Sequence, residues 1–367
     1  MKTIIVRLVY LVGLVVATYA VALAEEPTRG IVTDLTYIRP ARLVDIGHGR
    51  QMDILCVGQG TPTVIFDAGL GDQIRAWATV QPQISRRTMA CSYDRAGLGF
   101  SDPSARPGTS ANAVDDLHSL LLAAAVKPPY VLVGHSLGGM YVRLYADQYP
   151  AEIAGMVLVD PVSEEQGRRY TALDLSTKTL NDQYVAWIHS ECIPASAKGF
   201  DRSSEIYKRC VGGPDPHFSS EFNKALADNQ STAVHFQAVW SEWVHVFTTS
   251  SDQVRAARRT FGGMPLIVLS RAPFALQPNE TQAMRDAKNR LWMELHDDLA
   301  RLSTRGVNRV VEGAGHYIQF DRPEAVVGAV FEVLRETQTP LLSSQLPQPH
   351  TFGRQSAPQQ RRSSGSG

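Results

Sequence analysis

The chain has 367 residues, long enough for one large α/β domain with an insertion or for two smaller domains. Its 36 lysines and arginines match its 36 aspartates and glutamates, so no basic surplus draws it to nucleic acid, and charge argues against a polyanionic partner. At the N-terminus Lys2 and Arg7 precede an apolar run from Leu8 to Leu23, and Ala22 and Ala24 supply the small residues that come before a signal-peptidase cut. Residues 1–24 therefore read as a signal peptide. The run falls short of the roughly 20 residues of a spanning helix, so the chain is expected to be exported, periplasmic or extracellular, with no stable membrane insertion after cleavage. Export puts the four cysteines, Cys56, Cys91, Cys192 and Cys210, in an oxidising compartment. Cys192 and Cys210 flank a polar, weakly structured segment and are expected to pair. No Cys-x-x-Cys spacing occurs, and no metal site is implied.

Along the chain, residues 36–58 alternate polar and apolar around "GHGR" and read as a β-hairpin. Six short β-branched runs follow, at 62–69, 89–94, 130–136, 155–161, 265–270 and 308–315, of the kind buried on both faces of a parallel sheet. Helical patterns lie between them, one opening at Ser110 as its N-cap. Strand and helix alternate, which predicts an α/β architecture: a mostly parallel central sheet flanked by helices. The alternation stops between Pro161 and Met264, where "FNKALADNQ" and "STAVHFQAVWSEWVHVFTTSSDQVRAARR" read as helices with aromatic faces. This predicts a core at 25–161 and 264–339 and a helical cap at 162–263, inserted after the sixth strand. Residues 340–367 turn to Pro, Gln, Ser and Arg and read as a disordered tail.

"GHSLG", residues 134–138, matches G-x-S-x-G between a strand and a helix. There the flanking glycines let the chain turn sharply, the serine hydroxyl rises off the sheet edge, and the helix N-terminus favours an anion beside it. Ser136 is the expected nucleophile. A serine hydroxyl needs a base, and His316, just past the last strand, lies at the same carboxyl edge of the sheet. His135 sits inside the turn, too constrained to serve. The N–H of Leu137 supplies one oxyanion donor, and the glycine-rich loop "DAGLGD" after the third strand offers the N–H of Leu70 as the second.

These motifs, together with "YDRAGLGFSD" (93–102), "MVLVDP" (156–161) and "GAGHYIQFDRPEAV" (314–327), resemble α/β-hydrolase-fold proteins of the esterase and lipase type. The resemblance spans residues 36–161 and 264–335 and implies the α/β-hydrolase fold, a Ser-His-acid triad and no cofactor. It also places Cys56 and Cys91 in adjoining strands, as a second disulfide or as two buried thiols. Two departures stand out. Ala68-Gly69 replaces the His-Gly common at the oxyanion loop, and no carboxylate follows the seventh strand before Glu280. Asp160 has the required order between Ser136 and His316, lies at the carboxyl edge, and is similar in context to the acid that pancreatic-type lipases take from the sixth strand. Asp160 is therefore the expected acid and Glu280 the alternative.

The sequence thus predicts a serine hydrolase acting on an ester, lactone or related acyl bond of a small, apolar molecule. A serine at the turn argues against epoxide hydrolase or dehalogenase chemistry, which the fold performs with an aspartate there. The rival readings are a capped small-ligand binding protein with little turnover, and a lyase or acyltransferase using the same site. Trp187, Phe236, Trp240, Trp243 and Phe247 are expected mostly to form the core of the cap, because four of them repeat at helical spacing.

Overall fold

The computed structural model describes residues 30–277, 280–338 and 365; the expected signal peptide and all of the expected tail except Gly365 lie outside the described residues. An eight-stranded sheet is built from β1 (Leu43–Asp45), β2 (Gln51–Val57), β3 (Thr63–Asp67), β4 (Ala90–Tyr93), β5 (Tyr130–His135), β6 (Ile153–Val159), β7 (Leu266–Arg271) and β8 (Gly306–Val311). Their order is β1-β2-β4-β3-β5-β6-β7-β8. β2 runs antiparallel to β1 and β4, and the remaining pairs are parallel. This is the α/β-hydrolase fold expected from the sequence.

Period-two alternation sorts the strand residues into two cores. Ile65, Leu132, Met156, Leu158, Leu266 and Val268 face one side with the helices Ser110–Ala123 and Leu137–Gln148. Val64, Phe66, Val131, Val133, Val157, Val159 and Ile267 face the other, against Trp77, Ile84 and the helix Pro323–Gln338. Burial of each such side chain contributes about 1.5–3 kcal/mol, so the central strands are the most firmly held part of the chain.

Several local expectations need correction. Leu35–Ile38 form a 3-10 turn, because the Asp34 side chain accepts the Thr36 N–H at 3.0 Å; the hairpin is confined to β1 and β2. Thr109, not Ser110, caps its helix, since Thr109 has the extended backbone and its Oγ1 accepts from Asn112 N. β8 alternates exposed and half-buried residues, because it has a neighbour on one side only and one face reaches solvent.

Between β6 and β7 the chain forms the helical insertion. The long aromatic stretch is two helices, Ala233–Val246 and Thr249–Ala257. The segment between Cys192 and Cys210, expected to be weakly structured, carries the short helices Ile193–Ala197 and Glu205–Val211. Both disulfides form: Cys56 and Cys91 are cross-strand register partners on β2 and β4, and Cys192 joins Cys210 in the insertion. Among the described residues no helix is long and apolar enough to cross a membrane.

The Cys192–Cys210 bridge closes a loop of sequence separation 18, a size for which chain entropy gives about 3 kcal/mol. The double substitution Cys192→Ala and Cys210→Ala should lower unfolding free energy by about that amount in denaturant melts. An unchanged midpoint, or peptide mapping of exported protein that finds both as free thiols, would remove this stabilisation from the account.

Candidate functional site

Ser136 occupies the break between β5 and the helix Leu137–Gln148. Its backbone, at φ 50° and ψ −117°, lies where residues with side chains are rarely found. Two glycines permit this. A Cβ on Gly134 would stand 2.6 Å from the Gly138 carbonyl oxygen, and a Cβ on Gly138 would stand 2.4 Å from that of Asp67. The turn is locked by backbone bonds: Ser136 N–H donates to Val159 O at 3.1 Å, while Ser136 O accepts from Gly139 and Val162 at 3.0 and 2.9 Å.

His316 follows β8 and reaches back to the serine. Its Nε2 lies 3.0 Å from Ser136 Oγ, and its Nδ1 lies 2.6 Å from Asp160 Oδ2. An ionised carboxylate only accepts, so Nδ1 carries the hydrogen and Nε2 keeps a lone pair toward the serine hydroxyl. His135 Nε2 contacts the His316 carbonyl oxygen at 3.0 Å and thereby holds the backbone of its neighbour. Burial, joined by the charge of His316, pushes the His135 imidazole down to about 4. It is therefore neutral at ordinary pH.

Asp160 is fully buried where β6 ends. Its Oδ1 accepts from Arg271 N at 3.0 Å and from Trp292 Nε1 at 2.9 Å, and Arg271 Nε stands 3.6 Å from Oδ2. Burial alone would raise its pKa, but the hydrogen bond and charge of His316, with His296 and the Arg271 N–H, hold it below the ordinary carboxylate value. The structure thus brings Ser136, His316 and Asp160 into one hydrogen-bonded chain. Glu280 stands apart, bound to Arg285 Nε at 2.6 Å and Lys288 Nζ at 3.0 Å.

Arg271 and Trp292 carry no warning in the sequence. Trp292 shares its helix with buried Leu291 and Leu295, so its spacing reads as ordinary core. Its indole N–H finds Asp160 only through the tertiary fold.

Leu70 and Leu137 border the same cavity as Ser136. Among the described residues neither N–H has a protein acceptor. The orientation of the first is set by Arg95, which is buried. Arg95 donates to the carbonyls of Ala68 and Gly69 at 2.8 and 2.6 Å, to Asp67 Oδ1 at 2.8 Å, and to Glu242 Oε1 and Oε2 at 2.6 and 3.1 Å. In a trans peptide the C=O and the following N–H point opposite ways. Drawing the Gly69 carbonyl toward Arg95 therefore turns the Leu70 N–H away from it.

The cavity holds about 510 Å³ and is roofed by the helical insertion. Of the five aromatics expected to form the core of the cap, all pack in apolar clusters, and four, Trp187, Phe236, Trp243 and Phe247, also border the cavity. A second, more open cleft of about 1380 Å³ adjoins it, with His316, Trp292, Phe247 and Gln166 bordering both spaces.

Comparison with known proteins agrees with this architecture. The alpha/beta hydrolase family profile matches residues 64–329. YqjL of Bacillus subtilis, a protein without assigned function, is 26% identical over 276 residues, covering 75% of this chain and 85% of its own. Among solved structures, a Pseudomonas aeruginosa protein proposed to be an epoxide hydrolase aligns with TM-score 0.59 at 15% identity, covering 81% of this chain and 96% of that one. An Acinetobacter baumannii protein proposed to be a lipase aligns with TM-score 0.59 at 17% identity, covering 83% and 93%. With the profile spanning most of the chain, the protein belongs to the alpha/beta hydrolase family.

Proposed function

We propose that the protein is an exported serine hydrolase that cleaves an ester, lactone or related acyl bond of a small molecule. The observation that carries this reading is the hydrogen-bonded chain Ser136–His316–Asp160 at a cavity bordered by the helical insertion. In this reading Ser136 Oγ attacks the acyl carbon while His316 Nε2 takes its proton. The N–H groups of Leu70 and Leu137 stabilise the developing oxyanion. His316 then gives the proton to the leaving alcohol, and water, activated in the same way, releases the acid from Ser136. Asp160 orients the imidazole and stabilises its positive charge.

Serine rather than aspartate at position 136 argues against epoxide-opening chemistry, even though several structural neighbours are named as epoxide hydrolases. The aromatic roof supports an apolar body for the substrate. The two disulfides support an oxidising destination. The ligand-binding alternative drew on the absence of an acid after β7; the 2.6 Å contact of Asp160 with His316 favours turnover instead.

A fluorophosphonate probe should label Ser136 and nothing else in the chain, because an activated serine reacts where an ordinary one is inert. Labelling that persists in Ser136→Ala would assign the nucleophile elsewhere. On a panel of chromogenic esters, Asp160→Asn should lower turnover by up to ~10⁴-fold, whereas Glu280→Gln should change it little. The reverse order, in folded proteins of matched stability, would transfer the acid to Glu280.

A further inference from the structure

The cleft of about 1380 Å³ beside the cavity is bordered by His316 but not by Ser136, Leu70 or Leu137, which border the smaller space only. Two large apolar side chains stand exposed on its border, Leu180 at 64% and Phe274 at 42%. They come from different elements, Leu180 from the helix Leu175–Trp187 of the insertion and Phe274 from the segment after β7. Phe274 is firmly held for an exposed residue. Its backbone N–H donates to Asn289 Oδ1 at 3.1 Å, and its carbonyl accepts from Asn289 Nδ2 at 3.0 Å. The Arg271 guanidinium carbon lies 3.3 Å from the centre of its ring and 4.7 Å from that of Trp292. Cation–π contact with both rings makes Arg271 the link between them. An apolar wall therefore runs from Trp292, which binds Asp160, out to Phe274.

We propose that this cleft binds the alcohol part of an ester substrate, and that this alcohol is bulky, largely apolar and uncharged. The assignment rests on the hydrolase reading above and on which groups border which space. The acyl carbon has to meet Ser136 Oγ, and its oxygen the N–H groups of Leu70 and Leu137, all at the smaller cavity. When the tetrahedral intermediate collapses, the bond from the acyl carbon to the alcohol oxygen breaks and the electron pair leaves with that oxygen. The proton held on His316 Nε2 passes to it. The leaving oxygen is therefore at His316, and the two spaces meet at His316, Gln166, Phe247 and Trp292. An alcohol too large for the cavity continues from there into the cleft.

The walls define the chemistry of that alcohol. Tyr170, Leu180, Phe247, Phe274 and Trp292 offer apolar and aromatic surface. Each charged side chain on the border stands in an ion pair, as Lys178 does with Asp182 and Arg255 with Glu165. Paired charges largely cancel at the distance of a ligand, so neither a cationic nor an anionic alcohol gains over a neutral one of the same shape. With about 510 Å³ on the acyl side and about 1380 Å³ on the other, the substrate class is an ester whose larger part is its alcohol.

The test measures acid release from acetate esters of ethanol and of 2-cyclohexylethanol, each kcat/KM divided by the hydroxide-catalysed rate of the same ester. The cyclohexylethyl ester should be at least about tenfold better. Leu180→Asp and Phe274→Ala should each lower that ratio by at least about threefold, while the ratio of ethyl octanoate to ethyl acetate stays as in the wild type. Because both esters are measured on the same variant, any general loss of activity cancels. Should Phe274→Ala not fold, Leu180→Asp, at an exposed position, decides. Acetylcholine should be no better than 3,3-dimethylbutyl acetate, its uncharged isostere. A wild-type ratio below about threefold overturns the proposal, as does a ratio that both variants leave unchanged. So does an octanoate ratio that falls as far as the alcohol ratio, which places the acyl chain in the cleft, or a preference for acetylcholine. If no ester is turned over, the hydrolase reading fails, and calorimetry on Ser136→Ala judges the cleft alone. N-(2-cyclohexylethyl)acetamide should then bind at least about tenfold more tightly than N-ethylacetamide and lose that advantage when Leu180→Asp is added; equal affinities overturn the cleft assignment.

Discussion

A single buried cation organises the region above the sheet. Arg95 has five N–H hydrogens and five acceptors: two carbonyls of the loop after β3, the carboxylate that ends β3, and both oxygens of Glu242 from the helical insertion. Glu242 Oε2 also accepts from Gly71 N at 2.8 Å, so loop and insertion are tied at two points. Burying such charges is costly, and the arrangement holds only because every donor is used; removing one partner from a buried pair typically costs about 3–5 kcal/mol. The return is directional. The peptide that bears the Leu70 N–H is held in one orientation, and the roof that encloses the cavity is held at one height above it.

The second constraint is strain. Among the described residues four non-glycine positions have positive φ, and Ser136 and Asp160 are two of them. Each costs about 1–3 kcal/mol and persists because its surroundings over-determine it. The two positions are related by register. β5 and β6 are parallel neighbours with His135 opposite Val159, so the next residue on each strand is Ser136 and Asp160. Both chains turn sharply at the same level of the carboxyl edge. An acid on β6 therefore reaches an imidazole that bridges from the loop after β8, and a carboxylate after β7 is not needed. β7 contributes the Arg271 N–H instead, which fixes the acid in place.

Much of this was legible in the sequence, and the remainder was not, for physical reasons. The parallel strands declare themselves as short β-branched runs, and the serine turn by glycines whose absent Cβ atoms would collide with backbone. The order Ser136, Asp160, His316 is visible in one dimension. The roles of Trp292, Arg95 and Glu242 are not, because their side-chain types and spacings equal those of ordinary core and surface positions until the fold brings them together. The insertion was hardest to read. Its helices are short, several have mixed faces, and the two between Cys192 and Cys210 are fixed beside a disulfide rather than by a strong apolar period. Its aromatics follow helical spacing and still border the cavity, since one face of a helix can serve both its own packing and a pocket.

In the proposed reaction Ser136 carries the acyl group. Rapid acid quench of wild-type protein with an activated ester, followed by mass measurement of its peptides, tests this directly. The peptide containing Ser136 should be heavier by the mass of the acyl group at early times and return to its original mass as substrate is exhausted. Turnover with that peptide unmodified at every time point, and the added mass on another residue or on none, would contradict it.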